Sequence, residues 1–198
     1  ANEPGNRYVM VQFQRIKKDM ERLCSTTITD ESIWKAIDIY NENKRLMHEL
    51  YELRRQPVPL IKGSDSYEVV KAAIVMPKDM HNELLKELIS QVKEKGPEGK
   101  PKPRIMVSSF IFEEAAIARP NFIRLAERSG LDVVFDDLVF SPRYFWNEVK
   151  TDGYRDPMEA IVDCYAGKVP IAFKVSPEYR AAFYIDAAQK YNVKGAIF

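Results

Sequence analysis

Residues 105–137, IMVSSFIFEEAAIARPNFIRLAERSGLDVVFDD, decide the fold. Ile105–Phe110 is a short apolar run rich in β-formers, followed by a polar, Ala-rich loop. Pro120 suits the first turn of a helix, Phe122–Ser129 supplies that helix, and Gly130 suits the left-handed position just past its end. Leu131–Phe135 reads as a second buried strand, with Asp136 and Asp137 following it. Strand, helix and strand within about 30 residues form a βαβ unit, whose two strands run parallel. Downstream, Asp156 caps and Pro157 opens a helix over Met158–Tyr165. Ser176–Pro177 repeats that grammar before a helix over Glu178–Tyr191. Val193–Phe198 reads as a third strand. A doubly wound sheet normally continues with another helix and strand, so this one reads as incomplete and cut at its C-terminal end.

Upstream the period is helical. Val9, Phe13, Ile16, Met20 and Leu23 make one stripe on a first helix. Thr29 caps a second, with Asp30 and Glu31 at its positive end. It carries Ile33, Ile37, Tyr40, Leu46, Leu50 and Leu53 until Pro57 and Pro59 stop it. A short loop between these two predicts an antiparallel helical hairpin. Ser64 or Asp65 opens a third helix that ends near Met76, and Pro77 precedes a fourth carrying Met80, Leu84, Leu85, Leu88, Ile89 and Val92. Residues 93–103, KEKGPEGKPKP, read as an exposed linker. The expected organisation is a helical region over 1–100 and a parallel α/β region over 101–198.

Composition narrows the function. The chain has 198 residues, 45% hydrophobic and 30% charged, with a net charge of +1, an ordinary globular balance that points to neither nucleic acid nor a membrane surface. No apolar run approaches the roughly 20 residues of a membrane span, and the start lacks a signal-peptide layout. Ala1 stands where Met would, so the N-terminus reads as processed, trimmed or fused. Cys24 and Cys164 read as free thiols of a reducing, cytoplasmic compartment. With only His48 and His81 besides, a four-ligand Cys/His metal site is not supported. Both histidines read as surface residues, and no acyl-transfer triad can be drawn.

Ligands of parallel sheets gather beyond the C-terminal ends of the strands. That places Ser108 and Ser109 after the first strand, and Asp136, Asp137, Arg143 and Tyr144 after the second. These are the candidate substrate-binding residues. Paired carboxylates bind a cation or share a proton. The competing reading is scaffolding, with the aspartates capping residues 141–146 and Arg143 bridging to one of them. Tyr144, Phe145 and Trp146 suit either a planar ligand or core packing. There is no glycine-rich phosphate loop.

Residues 133–149, VVFDDLVFSPRYFWNEV, resemble a signature of the 2-hydroxyacyl-CoA dehydratase and benzoyl-CoA reductase subunits, the family that includes the 2-hydroxyglutaryl-CoA dehydratase D-component. There a strand ends in two aspartates, Leu and then Cys, followed shortly by a small residue, Arg and Tyr. The same order stands here as Asp136, Asp137, Leu138, Val139, Arg143 and Tyr144. YNENKRLMHELYELR at 40–54, DPMEAIVDCY at 156–165 and the terminal KYNVKGAIF resemble further family segments in the same order. The resemblance implies an α/β fold, a helical segment followed by an incomplete flavodoxin-like parallel sheet with flanking helices. It also implies paired sister subunits with an acyl-CoA between them, an ATP-dependent activator and a ketyl-radical route. A four-iron–four-sulfur cluster, held by three cysteines, is implied for the complete subunit.

The departures fall on the ligands. Val139 occupies the family's middle cysteine position, and an isopropyl group cannot bind iron. The first and last cysteines would lie outside residues 1–198, and Cys24 and Cys164 match none of the three. The expectation is a subunit, or a fragment of one, that holds no cofactor and is inactive alone. A non-catalytic scaffold paired with a cluster-bearing sister and a flavodoxin-like binding module are the other readings. The helical half and the strand edge are expected to serve self-association or pairing with the sister.

Overall fold

The computed structural model describes residues 3–108, 122–138, 141–166 and 177–198. Four helices come first: α1 (Glu3–Cys24), α2 (Asp30–Glu52), α3 (Gly63–Val75) and α4 (Lys78–Lys95), with a single 3₁₀ turn at Leu53–Arg55. Then follow β1 (Arg104–Ser108), α5 (Phe122–Arg128), β2 (Asp132–Asp137), the one-turn helix α6 (Pro142–Phe145), α7 (Pro157–Ala166), α8 (Pro177–Lys190) and β3 (Gly195–Ile197). Among the described residues no helix is long and apolar enough to cross a membrane.

The local chemistry is as the sequence predicts. Thr29 Oγ1 accepts from the Ser32 amide at 3.2 Å, and Asp156 Oδ1 accepts from the Met158 amide at 2.8 Å. Gly130 has φ +89°, the left-handed conformation that ends α5 without a side-chain clash.

The strands form a three-stranded sheet in the order β2–β1–β3, with both pairings parallel. The α/β class with a small parallel sheet is therefore as expected. One boundary differs. Asp136 and Asp137 lie within β2, in register with Val107 and Ser108, and do not follow the strand. One face of the sheet, with Ile105, Val107 and Val133, packs under Tyr67 of α3 and Ile123 of α5. The other, with Met106, Val134 and Phe135, packs under Ala187 of α8 and Tyr191. A separate core of Met47, Leu50, Tyr51, Val70 and Leu85 joins α2, α3 and α4, and Phe145 enters it from α6. Gly63 fits where α3 meets β2, because a Cβ there would stand 2.5 Å from the Val133 carbonyl oxygen. Arg104, at the start of β1, donates to the carbonyls of Arg54 (3.0 Å), Gln56 (2.7 Å) and Tyr191 (2.8 and 3.0 Å).

Two expectations are corrected. The antiparallel α1–α2 hairpin does not form: α1 packs chiefly on α7, and α2 on α4. An amphipathic stripe specifies that a helix has a face to cover, not which element covers it. Ile16, Met20 and Leu23 of that stripe are exposed. The histidines are not free surface residues either: His81 is buried and His48 half-buried. His48 reaches the Trp146 carbonyl at 3.0 Å and packs edge-on to Phe145.

His81 is buried in a polar knot. Its Nε2 lies 3.2 Å from the Val69 carbonyl, and Asn43 Nδ2 lies 2.8 Å from its Nδ1 and 2.7 Å from Asn82 Oδ1. A carbonyl can only accept, so the partners assign the proton to Nε2 and leave Nδ1 to accept from Asn43. Burial pushes the His81 pKa below its usual 6.5, with the Lys78 charge adding to it against the Val69 bond. Below pH 6.5 the unfolded chain takes a proton that the folded chain resists. The stability contributed here is complete above pH 6.5 and is lost as pH falls through the lower folded value. Urea unfolding between pH 7.5 and 5 should show that loss, and a His81→Gln variant should show a shallower one.

Candidate functional site

Successive strand residues point to opposite faces, so the two aspartates that end β2 separate. Each is claimed by its own guanidinium. Asp136 Oδ1 accepts from Arg54 Nη1 at 2.7 Å, with both side chains 0% exposed. Its Oδ2 accepts from Tyr51 Oη at 3.0 Å and from Ser141 Oγ. Arg54 also donates through Nη2 to the Val133 carbonyl at 3.0 Å. Burial works against the Arg54 charge most strongly, but the charge and hydrogen bond of Asp136, with Tyr51 and Tyr191 adding to them, together hold the guanidinium pKa above its ordinary value. Burial, then the Asp136 charge, raises the Tyr51 phenol well above its ordinary value, so it stays a neutral donor.

Asp137 takes Arg143 through two bonds, Nε to Oδ1 and Nη2 to Oδ2, each 2.6 Å. Arg143 is 9% and Asp137 2% exposed. Tyr184 Oη, from α8, donates to Asp137 Oδ2 at 2.5 Å. Ser108 Oγ stands 2.8 Å from Tyr184 Oη and a marginal 3.4 Å from Asp137 Oδ2, so its better partner is the phenol. This geometry brings Ser108, Asp137 and Arg143 together and turns Asp136 away. Tyr144 is also elsewhere: its hydroxyl lies 3.4 Å from the Ala73 carbonyl and its ring under Lys78. Burial raises its pKa to about 12. Ser109 and Val139 lie outside the described residues.

The aspartates neither share a proton nor face a common cation. The Arg143 bridge weighed in the scaffolding reading is present, to Asp137. Among the described residues, however, the partners of both carboxylates are side chains rather than the backbone amides that reading expected. Arg54, Tyr51, Ser141 and Tyr184 were missed. Tyr51 and Arg54 are three residues apart, which puts them on one side of a helical turn, and that spacing was the available signal. Nothing local marks Tyr184.

An iron–sulfur cluster needs thiolates converging on one place. Cys24 is exposed at the last residue of α1, and Cys164 sits in α7, where its thiol lies 3.7 Å from the Asn147 carbonyl. Neither is at the strand ends, and residue 139 is Val, so this chain's own donors do not fit a cluster there.

The sequence matches the family described as 2-hydroxyglutaryl-CoA dehydratase, D-component, over residues 2–198. It is 28% identical over 158 residues to a benzoyl-CoA reductase subunit from Thauera aromatica, covering 80% of this chain and 40% of that protein. It is 22% identical over 196 residues to the (R)-phenyllactyl-CoA dehydratase beta subunit of Clostridium sporogenes, covering 99% and 50% respectively. With the (R)-2-hydroxyglutaryl-CoA dehydratase beta subunit of Acidaminococcus fermentans it shares 27% identity over 145 residues, 73% of this chain and 37% of that one. The matched region is thus half or less of each relative's length. With a match spanning residues 2–198 and a parallel sheet ending in the aspartate pair, the chain belongs to the 2-hydroxyglutaryl-CoA dehydratase D-component family.

Proposed function

We propose that this chain is part of a subunit of an acyl-CoA dehydratase or reductase assembly, and that it acts there as scaffold beside a cluster-bearing sister subunit. The carrying observation is that a family match over residues 2–198 coincides with a strand-end site whose carboxylates are consumed internally. On this reading the assembly takes an acyl-CoA and an electron from an ATP-dependent activator, and the radical chemistry belongs to the sister. Ser108, Asp137 and Arg143 fix one side of the strand ends, with Tyr184 locking them from α8, and Asp136 fixes the other, locked by Arg54 from the 3₁₀ turn after α2. The exposed Ile16, Met20 and Leu23 of α1 suit a face covered by another protein surface.

The test is Arg143→Ala, read two ways on one preparation. Removing the guanidinium leaves Asp137 nearly buried without its cation, so unfolding stability should fall by about 1–3 kcal/mol. Titration with an acyl-CoA should show no selective loss of binding. If stability stays within about 0.5 kcal/mol and acyl-CoA binding weakens, the loop serves the ligand directly and the scaffold reading fails.

A further inference from the structure

The region between α2, α7 and α6 holds a cavity of about 250 Å³ that the strand-end network does not use. Ile33, Ile37, Val149 and Ile161 give it apolar walls, and the exposed Tyr40 and Tyr165 stand at its rim. Asn43 of α2 also lines the cavity and is only 1% exposed, so it belongs to the floor. Its neighbours fix which way its amide points. Asn82 Nδ2 donates to the Ile39 carbonyl and to Glu42 Oε2, each at 3.1 Å, which leaves Asn82 Oδ1 to accept. His81 Nδ1 accepts as well, because Nε2 carries the proton toward the Val69 carbonyl. Both acceptors draw on Asn43 Nδ2, at 2.7 and 2.8 Å respectively. The two amide hydrogens are thereby spent, and Asn43 Oδ1 accepts from no described residue. A buried acceptor left open is costly until a donor reaches it. Lys44 is on the wall too. Burial works against its charge, but Cys164 and Glu148 support it, so this wall does not call for an anion.

We propose that this cavity binds a small neutral aromatic molecule of the phenol class, with its hydroxyl donating to Asn43 Oδ1 and its ring among Ile33, Ile37 and Ile161. The volume lies below the roughly 300–1,000 Å³ of drug-sized sites and above the roughly 150 Å³ apolar cavity that accepts benzene, so one substituted ring is the matching size. Apolar walls select a neutral body. An acceptor at the floor selects a donor over a carboxylate, which would set oxygen against oxygen. Tyr40 and Tyr165 offer ring edges and faces to a planar guest. The floor residues Asn43, Ile37 and Val149 are buried while the rim is exposed, so a ligand that reaches the acceptor is enclosed. That depth favours a free small molecule over a docked chain. This inference does not rest on the acyl-CoA reading.

The experiment titrates the full chain with phenol, with toluene as its donor-free isostere and with benzoate as the anion, followed by NMR chemical shifts. Phenol should saturate below about 5 mM, moving the Asn43 side-chain amide and the methyl resonances of Ile33, Ile37 and Ile161 together. Toluene and benzoate should each bind at least about fivefold more weakly. Asn43 also holds His81 and Asn82, so its removal would test the fold as much as the site. Ala36 lines the cavity from an exposed position, and Ala36→Trp should fill the mouth, abolish the phenol response and leave the unfolding midpoint unchanged. Toluene or benzoate binding as tightly as phenol overturns the proposal. So does a phenol response that Ala36→Trp leaves intact, or no saturable response up to about 10 mM. A phenol effect in sedimentation that consists only of shifting self-association also overturns it, and assigns the hole to a protein side chain instead.

Discussion

Asp136→Ala is expected to cost about 3–5 kcal/mol of unfolding stability, because it strands the Arg54 guanidinium in a place water does not reach. Arg54 and Asp136 are both fully buried, and Tyr51 and Ser141 also lose their common acceptor. Typical domains have only about 5–15 kcal/mol in total, so the variant should stand close to unfolding. Removing both charges together, as Arg54→Met with Asp136→Leu, should cost less than the two single changes added, by about 1–3 kcal/mol, since neither partner is left as a bare ion. Urea titrations of the four proteins at neutral pH close the cycle. Additive single effects, or an Asp136→Ala loss below about 1 kcal/mol, would rule out this pair as the buried lock described here.

Phe145→Ala should be comparably damaging, at about 3–5 kcal/mol, for a different reason. Phe145 is fully buried, with its ring centroid 4.9 Å from that of Tyr51 and 5.2 Å from that of His48. It is the buried side chain by which α6 enters the core of α2, α3 and α4. Truncation leaves a cavity at that junction and frees the turn that carries Arg143 and Tyr144. Phe145→Leu, which keeps much of the volume, should lose distinctly less. Near-UV circular dichroism should report loosening around the adjacent Trp146 in the Ala variant. Both variants matching the parent in stability would show that the junction is not packed as described.

What the sequence revealed depended on range. The βαβ unit, its parallel pairing, Gly130 and the caps at Thr29 and Asp156 are written within a few residues of where they act. The aspartate pair was visible as a pair but misplaced by its own chemistry. Asp is a poor strand former, so Asp136 and Asp137 read as loop, yet cross-strand pairing with Val107 and Ser108 keeps them in β2. Their charges are tolerable there because Arg54 and Arg143 neutralise them, and Arg54 is 82 residues away. The burial of His81 was hidden likewise, since Asn43, which satisfies it, is 38 residues distant. The partner of α1 could not be read because its stripe would suit any apolar surface.

Arg104 has a consequence for how this chain is born. A single planar fork holds carbonyls from the 3₁₀ turn after α2 and from Tyr191, across separations of 50 and 87 residues. A ribosome releases the helices first, so the carbonyls of Arg54 and Gln56 emerge well before Arg104 does. Arg104 in turn emerges well before Tyr191. The early helices can gather while synthesis continues, but the knot that fixes them to the sheet must wait for α8. Chain growth therefore sets the order of assembly, and the nascent intermediate that most needs shielding is the one with β1 made and its guanidinium only half satisfied.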